Sequence, residues 1–396
     1  MPIHSVAEPE LFDLAALPGD QLSAVTSEAL GVDIQINDVS VSPFPYNWGA
    51  VSTAGLWRVD VSGRSAAGSA SYSFFVKLLR HPRLWPYIEM IPEGPPRDLF
   101  LRTVPWRIEL EMLESGIADL LPPGLRTPNL HAAKSHDDDH VALWYEFVTA
   151  WPGEWSLHDY ARTASQLGRL AARRRLGAAV NDRLPAYCLV EPREGALRYY
   201  VEHRILMATV PGLRDGRVWQ HPGLAKALAE LGDPTLPADM VALADRLPAI
   251  LDLVESLPQT FAHGDASPQN LLVPQDARDT RVVIDWGFGT PVPVGFDLGQ
   301  LLVGLVNDRV CNVDRLPPIF EAILSSYLGG LAEEGYDEDP EVVRTGFVGS
   351  VVARTGLVAV PFELLDQPAV EEHHDLFVNQ LQLTRYLVDL SATLAV

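Results

Sequence analysis

An α+β fold in two lobes, β-rich over residues 1–148 and mainly helical over 149–396, is what this 396-residue sequence predicts, and three observations carry the prediction. Apolar β-rich runs such as Tyr72-Ser73-Phe74-Phe75-Val76-Lys77-Leu78-Leu79 and Val141-Ala142-Leu143-Trp144-Tyr145-Glu146-Phe147 dominate up to Val148. After that the period becomes helical: Ser156-x-x-Asp159 reads as a capping-box variant opening a helix with Tyr160, Ala164, Leu167, Leu170 and Ala171 on one face. The third is the stretch Phe261-Ala262-His263-Gly264-Asp265-Ala266-Ser267-Pro268-Gln269-Asn270, followed by Val282-Val283-Ile284 into Asp285-Trp286-Gly287. It sets two carboxylates and a carboxamide on two turns that flank a short strand.

In order along the chain, a capped helix is expected around Asp20 to Leu30, then strands on either side of the segment Trp48 to Val59. A proline-rich excursion runs from His81 to Pro96. A helix follows with Thr103 as cap and Pro105 in its first turn, carrying Glu109, Glu111 and Glu114. Strands at Leu130–Lys134 and Val141–Phe147 flank Ser135-His136-Asp137-Asp138-Asp139-His140, whose consecutive ligand types suit a solvated hairpin turn better than a metal cluster. A hinge near 147–154 separates the lobes. Residues 185–250 and 298–396 read as mostly helical, with Asp337-Glu338-Asp339-Pro340-Glu341 as a loop between helices. The neighbours His373 and His374 point to different sides of a helix and read as surface residues.

Composition bounds the function. With 47% hydrophobic and 21% charged residues the chain has an ordinary globular profile. Its longest apolar runs fall well short of the ~20 residues of a membrane span, and no signal-peptide pattern opens it, so a cytoplasmic location is expected. Two cysteines, Cys188 and Cys311, make neither a disulfide framework nor a Cys-x-x-Cys pair. A net charge of −22 argues against nucleic acid and membrane as partners and for an acceptor that is neutral or cationic. Oligomeric state is not readable.

The residue types of the 261–287 region are those that phosphoryl transfer requires: a carboxylate to orient an attacking hydroxyl, and hard oxygen donors for Mg²⁺. Asp265 supplies the first; Asn270 and Asp285 supply the second, and both also belong to the nucleotide-binding set. The order of parts matches the catalytic loop and metal-binding turn of protein kinases, with Gly264 where those have Arg and Trp286 where they have Phe. This resembles the aminoglycoside phosphotransferase family, whose signature is His-Gly-Asp, four residues, Asn. The resemblance implies a protein-kinase-like fold, ATP or GTP as phosphoryl donor, Mg²⁺ as cofactor, and a hydroxyl-bearing small molecule, such as an antibiotic, as acceptor.

A kinase-like site also needs a phosphate lysine. Only three of the 30 basic residues are lysines, Lys77, Lys134 and Lys226, and Lys77 alone lies in an apolar strand. By similarity to related phosphotransferases its partner is Glu109, although helical spacing does not separate Glu109 from Glu111 and Glu114. The loop Trp48–Val59 has two glycines, Gly49 and Gly55, where protein kinases have three, and Ser52 and Thr53 are its candidate phosphate contacts. In kinase-like folds adenine lies against the hinge, here Glu146 and Val148. Asp297, placed as related phosphotransferases place an Asp after the metal-binding turn, reads either as a clamp on the catalytic loop or as a helix N-cap. The expected activity is ATP-dependent, Mg²⁺-requiring O-phosphotransfer. The alternatives are a metabolic kinase for a sugar, choline, homoserine or nucleoside, and a non-catalytic kinase-like nucleotide-binding protein.

Overall fold

The computed structural model describes every residue except 1–3, 7–8, 48–49, 178–192, 194, 287–289, 308–309 and 366. Trp48 and Gly49 of the expected phosphate loop, Cys188, and Gly287 of the Asp-Trp-Gly turn lie outside the described residues. The chain forms two compact units: Met1–Ala118 with Arg126–Trp151 and Val273–Gly287, and Asp119–Leu125 with Pro152–Leu272 and Phe288–Val396. Residues 273–287, which carry Asp285, group with the first unit.

The first unit is built on a five-stranded antiparallel sheet in the order Gln35–Pro43, Thr53–Ser65, Gly68–Arg80, His140–Glu146, Leu130–Ser135. Strand periodicity sorts its side chains onto two faces. Trp57, Val59, Val61, Phe74, Val76, Leu78 and Trp144 pack with Ala15 and Leu22 of the helices Pro9–Ala15 and Gly19–Leu30. On the other face Leu79, Val141, Leu143 and Tyr145 meet Leu110 of the helix Ile108–Glu114. Lys77 alternates with Val76 and Leu78, so it falls on this second face, and that is what brings it to the helix bearing Glu109.

Two helix starts differ from expectation. The helix Gly19–Leu30 follows Pro18 without a side-chain cap and is closed by Gly31 in the left-handed region, φ +67°. The Glu109 helix begins at Ile108, not at Thr103–Pro105. Pro105 disfavours helical geometry at the residue before it, and Val104 is extended (φ −78°, ψ 109°), which ends a separate helix Pro95–Thr103 that starts where the proline-rich excursion stops.

The second unit is mainly helical. Ser156 and Asp159 make the reciprocal capping box that opens the helix Leu157–Arg173, with Tyr160, Ala164, Leu167, Leu170 and Ala171 all buried. The strands Gln259–Ala262 and Thr290–Pro293 pair antiparallel, Ala262 opposite Thr290, and deliver the chain to His263. The helix Pro340–Thr355 lies close over the segment after Thr290–Pro293. A Cβ on Gly346 would come 2.1 Å from the Val294 carbonyl oxygen, so glycine sets that approach and with it the position of Arg354 near the helix end. Among the described residues no helix is long and apolar enough to cross a membrane.

Candidate active site

In the first unit Lys77 and Glu109 are buried, and Asp285 beside them is half-exposed. Lys77 Nζ lies 2.5 Å from Glu109 Oε2 and 3.3 Å from Asp285 Oδ1. The Lys77 and Glu109 side chains are 8% and 9% exposed, whereas that of Asp285 is 44% exposed. The Tyr145 hydroxyl donates to Glu109 Oε1 at 3.0 Å, so both oxygens of Glu109 are engaged. Glu109 is buried, while Glu111 is half-buried and Glu114 exposed, and it is Glu109 that takes the lysine. Burial alone would lower the Lys77 pKa; the carboxylates of Asp285 and Glu109 outweigh it and hold the ammonium above its ordinary range. Burial, then the charge of Glu109, pushes the Tyr145 hydroxyl well above the usual tyrosine value, so it remains a donor. Asp285 adopts φ +58°, a left-handed conformation that Asp tolerates better than most residues.

The expected phosphate loop and hinge are held by groups that sequence reasoning did not single out. The buried Arg80 donates through its guanidinium to the carbonyls of Val51 (3.1 Å) and Ala50 (2.8 Å), and its N–H to the Ser52 carbonyl at 2.8 Å. Thr53 opens a strand opposite Leu79. Gly55 sits at an irregularity in that strand, with a Cβ there 2.2 Å from the Trp57 ring, and so belongs to the sheet and not to a loop. At the hinge the Glu146 carboxylate accepts from Arg126 Nη1 and from Asn129 Nδ2 (2.8 Å), and the Glu146 backbone N–H donates to the Asn129 carbonyl at 2.9 Å. The Val148 backbone N–H has no partner among the described residues.

In the second unit the His263–Asn270 loop is held mainly through its backbone. Gly264 takes φ +85°, which a side chain would disfavour. Asp297, fully buried, accepts from the N–H groups of His263 (3.0 Å) and Gly264 (2.9 Å), so it clamps the loop as well as beginning the helix Asp297–Asn307. Burial raises its pKa against the opposing pull of His263, the two N–H groups and Arg354. The Asp265 N–H donates to His263 Nδ1 at 3.2 Å. Asn270 Nδ2 donates to the Asp265 carbonyl (2.9 Å) and to Asp265 Oδ2 (3.0 Å), which orients the carboxylate and leaves Asn270 Oδ1 outside that pair.

The other oxygen of Asp265 is taken by a residue absent from the expected set. Arg354 Nη2 donates to Asp265 Oδ1 at 2.8 Å, and Nη1 to the Gly264 carbonyl. The structure thus gathers Lys77, Glu109 and Asp285 in one unit, and Asp265, Asn270 and Asp297 in the other. Tyr145 lies two residues from Leu143, the cross-strand partner of Lys77, so the same period-2 argument that places Lys77 would have found it. Arg354 comes from a helix 89 residues downstream, and nothing local marks it.

A carboxylate beside a carboxamide on the His263–Asn270 loop, and a lysine held on a glutamate in a sheet-based unit, are the parts expected of a small-molecule phosphotransferase of the protein-kinase-like fold. The chain belongs to the phosphotransferase enzyme family, which it matches over residues 115–336, more than half its length. Among solved structures it is similar to an aminoglycoside phosphotransferase from Alicyclobacillus acidocaldarius, at 14% identity and TM-score 0.52, with 96% of each chain covered. It is also similar to a choline kinase from Cryptosporidium parvum, at 14% identity and TM-score 0.48, covering 90% of this chain and 91% of that one. A spectinomycin phosphotransferase solved with AMP aligns at 14% identity and TM-score 0.46, covering 96% of this chain and all of the other. No curated protein matches the chain by sequence.

Proposed function

We propose that the protein is an ATP-dependent, Mg²⁺-requiring O-phosphotransferase acting on a hydroxyl of a neutral or cationic small molecule in the cytoplasm. The observation that carries the reading is Lys77: a lysine fixed on a buried glutamate, with the half-exposed carboxylate of Asp285 beside it, supplies a phosphate contact next to an acidic metal ligand. Each unit taken by itself offers a hard oxygen donor of the kind Mg²⁺ prefers, Asp285 in the first and Asn270 Oδ1 in the second, and the chemistry of each fits that ion. When bound, Mg²⁺ neutralises charge on the phosphate oxygens.

In this reading Asp265 orients the acceptor hydroxyl and takes its proton as the oxygen bonds to the γ-phosphorus. The bond from that phosphorus to the β–γ bridging oxygen breaks, and ADP leaves with the electron pair. Lys77 positions the phosphates and Glu109 positions Lys77. Ser52 and Thr53 contribute to the phosphate loop, and the Glu146 carbonyl and the Val148 backbone receive the base. The test is ADP release with Mg²⁺-ATP against a panel of hydroxyl acceptors. Acceptor-stimulated release that disappears in Asp265→Asn is the expected result. A protein whose melting temperature does not respond to Mg²⁺-ATP, and whose ADP release no acceptor stimulates, would overturn the reading.

A further inference from the structure

The formal charge of −22 favours a cationic acceptor at long range, but the immediate surroundings of Asp265 do not. Arg354 donates to Asp265 Oδ1 at 2.8 Å while also holding the Gly264 carbonyl, so its guanidinium is fixed by two contacts on the loop itself. Its Cζ also lies 6.0 Å from the Phe296 ring centroid, and Gly346 seats its helix tightly. The side chains of Asp265 and Arg354 are 24% and 18% exposed, so both are reachable by a ligand. Asp297, the carboxylate that clamps the loop, is buried and turned onto backbone N–H groups. The carboxylate that would meet the acceptor hydroxyl is therefore already compensated by a cation.

We propose that Arg354 is a specificity-determining residue of the acceptor site: it selects acceptors whose substituent next to the reacting hydroxyl is neutral or anionic, and disfavours those with an ammonium there. The inference rests on the reading of Asp265 as the group that receives the acceptor. A hydroxyl on Asp265 approaches to about 3 Å, and a substituent on the adjoining carbon then lies within a few ångströms of the guanidinium. At that separation in a partly dehydrated site, like charges repel strongly, whereas a hydroxyl or carboxylate accepts hydrogen bonds from the same fork. Any positive charge on the acceptor belongs farther from the reacting hydroxyl, where the acidic field of the whole chain acts on it.

The experiment uses the full chain and three matched probes with Mg²⁺-ATP: a cyclic 1,2-diol, the corresponding 2-hydroxy acid, and the corresponding 1,2-amino alcohol, with ADP release as readout. The expected kcat/KM for the diol and the hydroxy acid exceeds that for the amino alcohol by about tenfold or more. Arg354→Gln compresses the ratio to within about threefold, and Arg354→Lys, which keeps the charge, preserves the preference. Equal or better use of the amino alcohol by the parent protein overturns the proposal, as does an unchanged ratio in Arg354→Gln or a ratio lost equally in Arg354→Lys. The Asp265→Asn variant separates two failures. Probe-dependent release that survives in it removes the role of Asp265 itself, whereas release that it abolishes, combined with an unaltered ratio in Arg354→Gln, removes only the role of Arg354.

Discussion

Lys77 and Asp265 are the two charged groups to which the proposed function gives the main roles, and the chain holds them by opposite means. Lys77 is buried and fixed by side chains far away in sequence, Glu109 at a separation of 32 residues and Asp285 at 208. Asp265 is partly exposed and fixed by its own loop, through Asn270 five residues on and the backbone clamp of Asp297, with Arg354 on its remaining oxygen. A buried charge stripped of its partner costs about 3–5 kcal/mol, whereas a partly exposed ion pair contributes about 0–1 kcal/mol. The chemistry of the first unit is therefore inseparable from its stability, while that of the second is separable.

The largest expected effect sharpens this contrast on the separable side. Asp265→Asn removes the proton acceptor but keeps the size of the side chain and one of its two accepting oxygens. Turnover should fall by roughly 10²–10⁴-fold while the thermal midpoint and Mg²⁺-ATP affinity stay near those of the parent. Parent-like turnover would mean that Asp265 is not the base, and a collapse of the melting temperature would mean that the loop depends on its charge after all.

Next in size comes a change on the inseparable side. Glu109→Gln leaves Lys77 buried with only Asp285 to compensate it, so activity and stability should fall together, the latter by about 3 kcal/mol in urea unfolding. The pH dependence has a definite sign. The Lys77 pKa is raised in the folded protein, so the stability it contributes is fully present below the ordinary lysine value of about 10.4 and is lost only as pH rises through the raised one. The stability deficit of Glu109→Gln should therefore be flat between pH 6 and 9. Lys77→Arg in the parent protein should retain neither full activity nor full stability, because a planar guanidinium does not fit a site built around one compact ammonium. A deficit that vanished toward pH 9, or full activity of the arginine variant, would break the comparison.

The same contrast explains what the sequence made legible. The loop from His263 to Asn270 was readable because its parts are neighbours: glycine for a left-handed turn, carboxylate, and carboxamide at a fixed offset. Lys77 was readable from its setting, a lysine in an apolar strand of an arginine-preferring chain. Glu109, chosen by similarity from three glutamates on one helix, needed the packed structure to set it apart, because burial separates it from Glu111 and Glu114 where helical spacing does not. Arg354 was hidden, since its meaning comes only from the way the helix Pro340–Thr355 is seated. Secondary structure was least legible where proline acts on its predecessor, as at Val104–Pro105, because the sequence signal for starting a helix there is equally a signal for ending one.

The smallest expected effect tests whether the first unit's network extends beyond its charges. Tyr145 donates to the Glu109 oxygen that Lys77 does not use, and it directly precedes the hinge residue Glu146, so it ties the position of the lysine to the strand that leads into the hinge. Tyr145→Phe removes one hydrogen bond to a charged group and keeps the ring that packs with Leu79, Leu110 and Leu143. The loss should be about 1.5–3 kcal/mol if Glu109 then holds its place with one oxygen unsatisfied, and less if a water enters. Because the fault lies in Glu109 and reaches the nucleotide only through Lys77, kcat should fall several-fold while the KM for ATP moves little, a split that loss of packing alone would not produce. If KM and kcat were both unchanged while stability dropped, Tyr145 would be a structural bond only, and the positioning network would end at Glu109.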